Sequence, residues 1–403
     1  MQAGRPLIRE EQEHATVTPL ELFFDLVFVF ALTQVTAFMA DELDWQGILR
    51  GALVLIMLWW AWTAYAWLAN MASAEERAIM LAILAGMAAM FVLALCIPEA
   101  FDDLPGGLQG PVVLAVCYLI FRAMHLVLLM VLSREDAELR KQVLRFALSV
   151  AASTVLLLAA SQFEGWQQTG LWVLALLADY VGTALGGFRG WRLPSAGHFS
   201  ERHGLIIIIA LGESIVAIGV GVAKEPITWV IIAASVLGLL LASAMWWAYF
   251  DVSALLGEHA LATEPVKTRA RLARNAYSFA HMPLVLGIVL VAFGLKEVLL
   301  YVSDTSDHTL TDPLPRVALA ALVGGVVVYL LGHVVFKWLT VHTISVVRLV
   351  TAGLLLAAML LIVALPALIQ LAVVALIVTC AMVVETLVFA ESRRQVRAEL
   401  SHQ

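Results

Sequence analysis

Two acidic residues lie one helical turn apart at the start of the first apolar segment. Glu21 and Asp25 fall within LELFFDLVFV (residues 20–29), where the chain enters a long apolar run. A carboxylate in hydrocarbon is costly and is usually either paired or functional. Acids in a first helical turn also complement the helix dipole, which explains Glu21 better than Asp25. We therefore predict that Asp25 belongs to a substrate or ion pathway and that Glu21 supports it.

A third acid, Glu213, lies far downstream beside Ser214 in a run that begins near His203. At about 1.5 Å per residue, Glu213 would be roughly 15 Å deep, near the bilayer centre. A carboxyl in that medium can take up and release a proton, or bind a cation or a substrate. The structural alternative is a carboxyl hydrogen-bonded to a neighbouring helix. We predict that Glu213 is part of the pathway and that Ser214 supports it.

Arg122 and Asp179 are predicted near the centres of the fourth and sixth apolar segments. An isolated guanidinium at that depth is so unfavourable that Arg122 needs an acidic partner. Asp179 and Glu213 are the candidates, and Asp25 is less favoured because of its depth. A static ion pair that fixes helix register and a functional relay are both compatible with these residues.

Histidines supply the remaining candidate groups. His281 precedes Pro283, which leaves a backbone carbonyl without its helical partner, so His281 either bonds that irregular backbone or carries protons. His125 has a comparable position in the fourth segment. The His/Glu spacing of a helical zinc motif is missing, and the three cysteines all lie in apolar runs, so we expect no metal, cofactor or disulfide framework.

The composition determines the class of protein that must position these groups. The 403 residues are 62% hydrophobic and only 14% charged, as expected for an all-α integral membrane protein that crosses the bilayer many times. We predict twelve spans, at residues 20–40, 48–69, 78–98, 111–132, 143–162, 170–188, 203–223, 227–250, 277–296, 316–336, 344–365 and 367–390. Of the 24 lysines and arginines, 19 fall on the side of the N-terminus. Because cytoplasmic loops are enriched in these residues, both termini should be cytoplasmic.

Similar features recur in the same order in the two halves of the chain. Trp59-Trp60 and Trp246-Trp247 lie in the second and eighth spans, and Glu21 and Glu201 each open a span. Tyr118 matches Tyr329, and Arg145 matches Arg348. We therefore predict two parallel six-helix halves, at residues 20–190 and 200–390. A cytoplasmic segment, residues 1–19, precedes them, and a cytoplasmic tail, residues 391–403, follows.

Four motifs resemble those of the low temperature requirement protein A family of bacterial membrane proteins. They are residues 20–29, the segment ERHGL at 201–205 leading to LGES at 211–214, WWAYFD at 246–251 and HMPLVLGIV at 281–289. The resemblance covers about residues 16–390. It implies a membrane protein named for a need in growth in the cold, without a settled biochemical activity.

The favoured function is a proton- or cation-coupled secondary transporter of a small solute, and a channel is a variant of it. Twelve spans, the repeat and the mid-depth ionisable residues favour transport. The alternative is an integral-membrane enzyme or handling protein for a lipid or isoprenoid, with an interfacial cluster of acids and a histidine. Its members would be Glu21, Asp25, Glu201, His203 and Asp251. Motifs for phosphate or dinucleotide binding are missing, so an enzyme is the less favoured class.

We expect the protein in the bacterial inner membrane, with membrane lipids and a small solute as partners and no nucleic acid. A homo-oligomer is compatible with this sequence.

Overall fold

Long apolar helices make up most of the chain. The computed structural model describes residues 16–72, 77–187, 190–223, 225–304, 306–388 and 390. The helices are α1 (Pro19–Asp41), α2 (Trp45–Met71), α3 (Arg77–Leu95), α4 (Gly110–Leu132), α5 (Ala137–Ala160), α6 (Gly165–Gly186), α7 (Ala196–Gly221), α8 (Trp229–Phe250), α9 (Ser253–Thr263), α10 (Val266–Leu272), α11 (Met282–Ser303), α12 (Arg316–Val341), α13 (Val346–Ile362) and α14 (Ala367–Val388). Most of the predicted N-terminal segment, residues 1–15, and the predicted tail, residues 391–403, lie outside the described residues.

The all-α membrane fold is confirmed. Among the described residues, eleven helical segments are long and apolar enough to cross a membrane, and α13 is a shorter apolar helix. The count of twelve spans therefore requires α13, whose 17 residues reach about 25 Å. Pro366 separates α13 from α14 as expected, because a proline is tolerated at a helix start and not inside a helix.

Helix α7 begins earlier than predicted. Its first residue is Ala196, and the predicted span began at 203. Glu213 consequently lies roughly 25 Å from the N-terminal end of α7 and roughly 12 Å from its other end at Gly221. The depth of Glu213 near the bilayer centre stays a prediction.

The ninth span also begins differently. A π-helical segment, Ala273–Phe279, precedes α11, which starts at Met282 and places Pro283 in its first turn. π-Helical turns are uncommon and occur often at functional sites. The predicted boundary at 277 thus falls inside this irregular segment.

The chain divides into two compact units. Unit 1 contains Met1–Phe38, Leu49–Arg202 and Pro265–Ala273, and unit 2 contains Met39–Ile48, His203–Glu264 and Arg274–Gln403. In unit 1, α4 packs on α3 and α5, and α5 packs on α6. In unit 2, α11 packs on α12, and α8 packs on α14. The predicted halves 20–190 and 200–390, and the repeat that relates them, stay predictions.

Close helix packing in unit 2 depends on glycine. A Cβ on Gly325 would lie 2.7 Å from the backbone oxygen of Gly287 and 2.9 Å from Cβ of Leu290. Glycines allow two transmembrane helices to approach at this distance because no side chain separates their backbones. Helices α11 and α12 are therefore in direct backbone contact.

Candidate functional site

The start of α1 and the start of α7 together form a buried group of four ionisable side chains. Glu21 and Asp25 come from α1, and His198 and Arg202 come from α7. Both pairs have the spacing i, i+4, which places the two members of each pair on one helix face, one turn apart. Exposed fractions are at most 2% for all four side chains. We call these four residues the quartet.

Glu21 binds the basic residues of α7 with one oxygen and its own helix start with the other. Its Oε1 lies 2.9 Å from Nε2 of His198 and 3.8 Å from Nη1 of Arg202. Its Oε2 accepts hydrogen bonds from the backbone N and Oγ1 of Thr18, at 2.7 and 3.0 Å. Glu21 therefore has the predicted helix-start role and a tertiary role as well.

Asp25 is bound through one oxygen only. Its Oδ1 accepts hydrogen bonds from Nη2 of Arg202 at 2.8 Å and from Nε1 of Trp62 at 2.9 Å. The Arg202 guanidinium also lies over the Trp62 ring, with Cζ 5.6 Å from the ring centroid. Asp25 Oδ2 is buried and has no hydrogen-bond partner among the described residues. The quartet therefore offers one open acceptor position, at Asp25 Oδ2.

Asn70 of α2 determines which nitrogen of His198 carries a hydrogen. Its Nδ2 donates to the backbone oxygen of Ser195 at 2.7 Å, and its Oδ1 accepts from the backbone N of Ser195 at 3.3 Å. These two bonds orient the amide, whose Nδ2 then points at Nδ1 of His198 at 3.3 Å. Nδ1 must accept this bond while Nε2–H donates to Glu21, which is the pattern of a neutral imidazole.

With the neutral-imidazole pattern at His198, the charges of the quartet do not balance. With both carboxyls ionised, Glu21 and Asp25 contribute two negative charges and Arg202 contributes one positive charge. A net negative charge in a buried site is unfavourable unless a proton or a cation neutralises it. Chemically, the arrangement can bind one positive charge, and Asp25 Oδ2 is the atom left open for it.

Arg122 pairs with Asp179, as predicted. Nη2 of Arg122 lies 3.1 Å from Oδ2 of Asp179, and both side chains are 0% exposed. Asp179 also accepts hydrogen bonds from Tyr118 OH at 3.2 Å and from Ser149 Oγ at 3.3 Å. This pair lies between α4, α5 and α6 of unit 1. It contains one acid and one arginine and is therefore neutral.

His281 belongs to an aromatic cluster in unit 2. Its Nδ1 lies 2.9 Å from the backbone oxygen of Ala276, in the π-helical segment, and its Nε2 lies 2.9 Å from Tyr249 OH. The predicted bond to irregular backbone is therefore present. The His203 ring packs against the rings of Tyr277 and His281, with centroids 5.1 and 5.2 Å away.

The structure places the other predicted residues as follows. Glu213 and Ser214 are buried in α7, and Ser214 Oγ has no hydrogen-bond partner among the described residues. Glu201 is exposed and accepts a hydrogen bond from the backbone N of Val17 at 3.1 Å. His125 is buried beside Tyr65, with ring centroids 5.6 Å apart. Asp251 is half-buried and follows the last residue of α8.

Within the described ranges, no group of three or more histidines, cysteines, aspartates and glutamates is arranged to hold a metal ion.

Sequence reasoning missed two members of the quartet. Arg202 lies just before the predicted span 203–223 and was not singled out, and neither was His198. The signal was present in the spacing: His198 and Arg202 repeat the i, i+4 separation of Glu21 and Asp25 with opposite chemistry.

Comparison with known proteins identifies the family of this chain. The sequence model of the bacterial low temperature requirement A protein (LtrA) matches residues 16–383. The chain belongs to this family. It is also 28% identical over 353 residues to an uncharacterized protein of Rhizobium meliloti, with 82% of this chain and 79% of that protein covered. No solved structure matches the chain. This member of the low temperature requirement A family is a multi-pass membrane protein.

Proposed function

We propose that this protein is a proton-coupled secondary transporter of a small solute, located in the bacterial inner membrane with both termini in the cytoplasm. The observation that supports the proposal is the quartet, in which two buried carboxyls lie beside one arginine. Ionisable residues inside transmembrane helices commonly mark ion and proton pathways.

In the proposed cycle, Asp25 Oδ2 takes up the coupling proton. The proton converts the quartet from net negative to neutral. This change weakens the attraction between Asp25 and the Arg202 guanidinium, because a neutral carboxyl no longer forms an ion pair. Helices α1 and α7 are held together here by that contact and by the bond from His198 to Glu21. Protonation would therefore favour a different arrangement of the two helices, and such a change is what couples a proton to solute movement.

We prefer the transporter to a lipid enzyme because of the burial of the two acids. A general acid or base must come within hydrogen-bonding reach of its substrate. Glu21 is 2% exposed, Asp25 is 0% exposed, and both form ion pairs with α7. In this proposal, membrane lipids surround the protein and are not its substrates.

Uptake into liposomes tests the proposal. The purified protein is reconstituted, and a panel of radiolabelled small carboxylates, amino acids and monovalent cations is offered with and without an inward proton gradient. We expect the gradient to drive accumulation of one class. Asp25→Asn, which mimics the protonated acid, should abolish gradient-driven accumulation while retaining exchange of labelled for unlabelled solute.

Glu135→Gln is the matched control, because this exposed carboxylate lies between α4 and α5, outside the quartet. It should accumulate solute as the wild type does. Equal proton-driven accumulation by Asp25→Asn and wild type would overturn the assignment of Asp25. If a sodium gradient alone drives accumulation, the coupling ion is a cation other than the proton. Uptake of no solute under either gradient would count against transport.

A further inference from the structure

The pair of Arg122 and Asp179 is unequally satisfied. Asp179 accepts hydrogen bonds at both of its oxygens, from Arg122, Tyr118 and Ser149. Arg122 uses only Nη2 in this pair. Its Nε and Nη1 are buried and have no hydrogen-bond partner among the described residues. Since a guanidinium carries five N–H donors, the open positions at this site are all donors.

A buried, charged donor without a partner is expensive. Leaving a charged group unsatisfied costs more than leaving a neutral one, because it loses its hydration without replacement. A static ion pair that only fixed helix register would be expected to satisfy both partners. Because Asp179 is fully hydrogen-bonded and Arg122 is not, a hydrogen-bond acceptor can bind at Arg122.

The side chains around the Arg122 guanidinium indicate which kind of acceptor would bind there. Arg122 Cζ lies 4.9 Å from the ring centroid of Phe146 and 5.7 Å from that of Tyr118. Ser153 lies one turn beyond Ser149 on the same face of α5, and its buried Oγ also has no partner among the described residues. Aromatic rings therefore flank the charge, and a further hydroxyl is available on the helix that carries one of these rings.

We propose that Arg122 binds the carboxylate of a small organic anion in the interior of unit 1, between α4, α5 and α6. Nη1 would donate to the carboxylate, since Nε–H points to the opposite side of the guanidinium, and the rings of Phe146 and Tyr118 would contact the apolar part of the ligand. Guanidinium groups suit carboxylates because charge-assisted N–H bonds to them are short and strong. Asp179 is the fixed counter-ion that keeps Arg122 in place when the ligand is absent.

This inference rests on the proposed function and specifies its substrate class. The Arg122–Asp179 pair is neutral, so an arriving anion adds one negative charge to a buried site. A proton taken up with the anion compensates that charge, and the quartet is where we propose that the proton binds. A proton-coupled carboxylate transporter needs both sites, and unit 1 contains both.

Binding of acetate to the purified full-length protein in detergent tests the site without transport. Thermal unfolding is followed as sodium acetate replaces sodium chloride at constant ionic strength. We expect a saturable rise in Tm with acetate, and Arg122→Lys should weaken binding at least about tenfold. Lysine keeps the positive charge beside Asp179 but lacks the planar guanidinium with its several N–H donors.

Arg50→Lys is the matched control, because Arg50 is also a buried arginine of unit 1 that forms an ion pair, with Nη1 3.0 Å from Oδ2 of the exposed Asp102. Its acetate response should equal that of the wild type. If Arg122→Lys does not fold, Ser153→Ala takes its place and should also weaken acetate binding, since it removes one donor and leaves the ion pair intact.

Three outcomes overturn the inference: no acetate-specific shift in the wild type, an unchanged shift in the site variant, or equal losses in the site variant and Arg50→Lys. Absence of acetate binding together with proton-driven uptake of another class would refute the carboxylate site alone. Acetate binding without proton-driven uptake would refute the proposed function and leave the site standing.

Discussion

Arg202 and Asp25 are 177 residues apart in the sequence, and Arg202 Nη2 lies 2.8 Å from Asp25 Oδ1. This ion pair joins the start of α1 to the start of α7 inside unit 1. The Arg202 guanidinium interacts with both acids, because Glu21 lies 3.8 Å from it as well. The stability of the site should therefore depend on the sum of charges more than on any single contact.

Removing Arg202 should be the most damaging change in the quartet. Arg202→Gln leaves Glu21 and Asp25 buried without a positive charge, and loss of one partner of a buried ion pair costs about 3–5 kcal/mol. Asp25→Asn should be much milder, because Arg202 keeps Glu21 as a partner. The double variant should recover part of the loss, since it carries one buried charge and not two.

Denaturation of the purified protein in detergent measures these changes as a double-mutant cycle. Additive losses of Asp25→Asn and Arg202→Gln would show that the two side chains do not interact energetically.

Trp62→Phe should destabilise the protein by removing a hydrogen bond to Asp25 and by leaving part of a buried site unfilled. Trp62 Nε1 donates to Asp25 Oδ1 at 2.9 Å, and a hydrogen bond to a charged group contributes about 1.5–3 kcal/mol. Phenylalanine keeps most of the ring that contacts the Arg202 guanidinium. Trp229→Phe is the control, because Trp229 is 85% exposed. Thermal unfolding that responds equally to both substitutions would argue against a role for the Nε1–H group.

The apolar pattern was sufficient to predict the class of fold and most helix positions, but not the start of α7. Between Ala196 and His203 the chain carries His198, Ser200, Glu201 and Arg202, and their polarity lowers the mean hydropathy of any window that includes them. In the structure His198 and Arg202 are buried because acids on another helix pair with them. Hydropathy measures each segment alone, so it cannot detect polar groups that are satisfied by tertiary contacts.

Two of the matched pairs that suggested an internal repeat do not share environments. Arg145 is exposed in α5, whereas Arg348 is buried in α13 and donates to the backbone oxygen of Ala248 at 2.8 Å. Trp59 is buried, whereas Trp246 is half exposed. Similar residues at matching spans therefore did not predict what each residue contacts. The Arg122–Asp179 pair was predictable because its energetic argument required a partner of opposite charge.

Substitution of a single glycine should disrupt the packing of α11 on α12. In Gly325→Ala the new Cβ would lie 2.7 Å from the oxygen of Gly287, so the helices must separate, and overpacking of this kind typically costs about 1–3 kcal/mol. Gly324→Ala is the control on the next residue, where nothing lies within 4 Å of the added Cβ. It should be neutral or stabilising, because alanine favours a helix over glycine. Equal Tm values for the two variants would contradict the close approach.

Both chain ends should face the cytoplasm. Arg134, Arg140 and Lys141 lie on the same side as Arg269 and Arg271 if an even number of spans is crossed, and cytoplasmic loops carry such residues. Fusions of green fluorescent protein and of alkaline phosphatase at Gln403 report the side directly. Fluorescence without phosphatase activity is expected. The opposite pattern would mean that α13 does not cross the membrane and that the number of spans is odd.

Glu213 should matter for proton-driven uptake and not for folding. It is 2% exposed in α7, and Glu213→Gln keeps its shape and hydrogen-bonding groups while removing the change of charge. We expect the variant to unfold at nearly the wild-type temperature, to retain exchange of labelled solute and to lose gradient-driven accumulation in liposomes. Glu258→Gln is the control, since this carboxylate is exposed on α9. Wild-type accumulation by Glu213→Gln would assign Glu213 to helix packing and leave the quartet as the sole proposed proton site. A large fall in Tm would equally assign it to packing, because the amide would then have failed to replace a structural carboxylate.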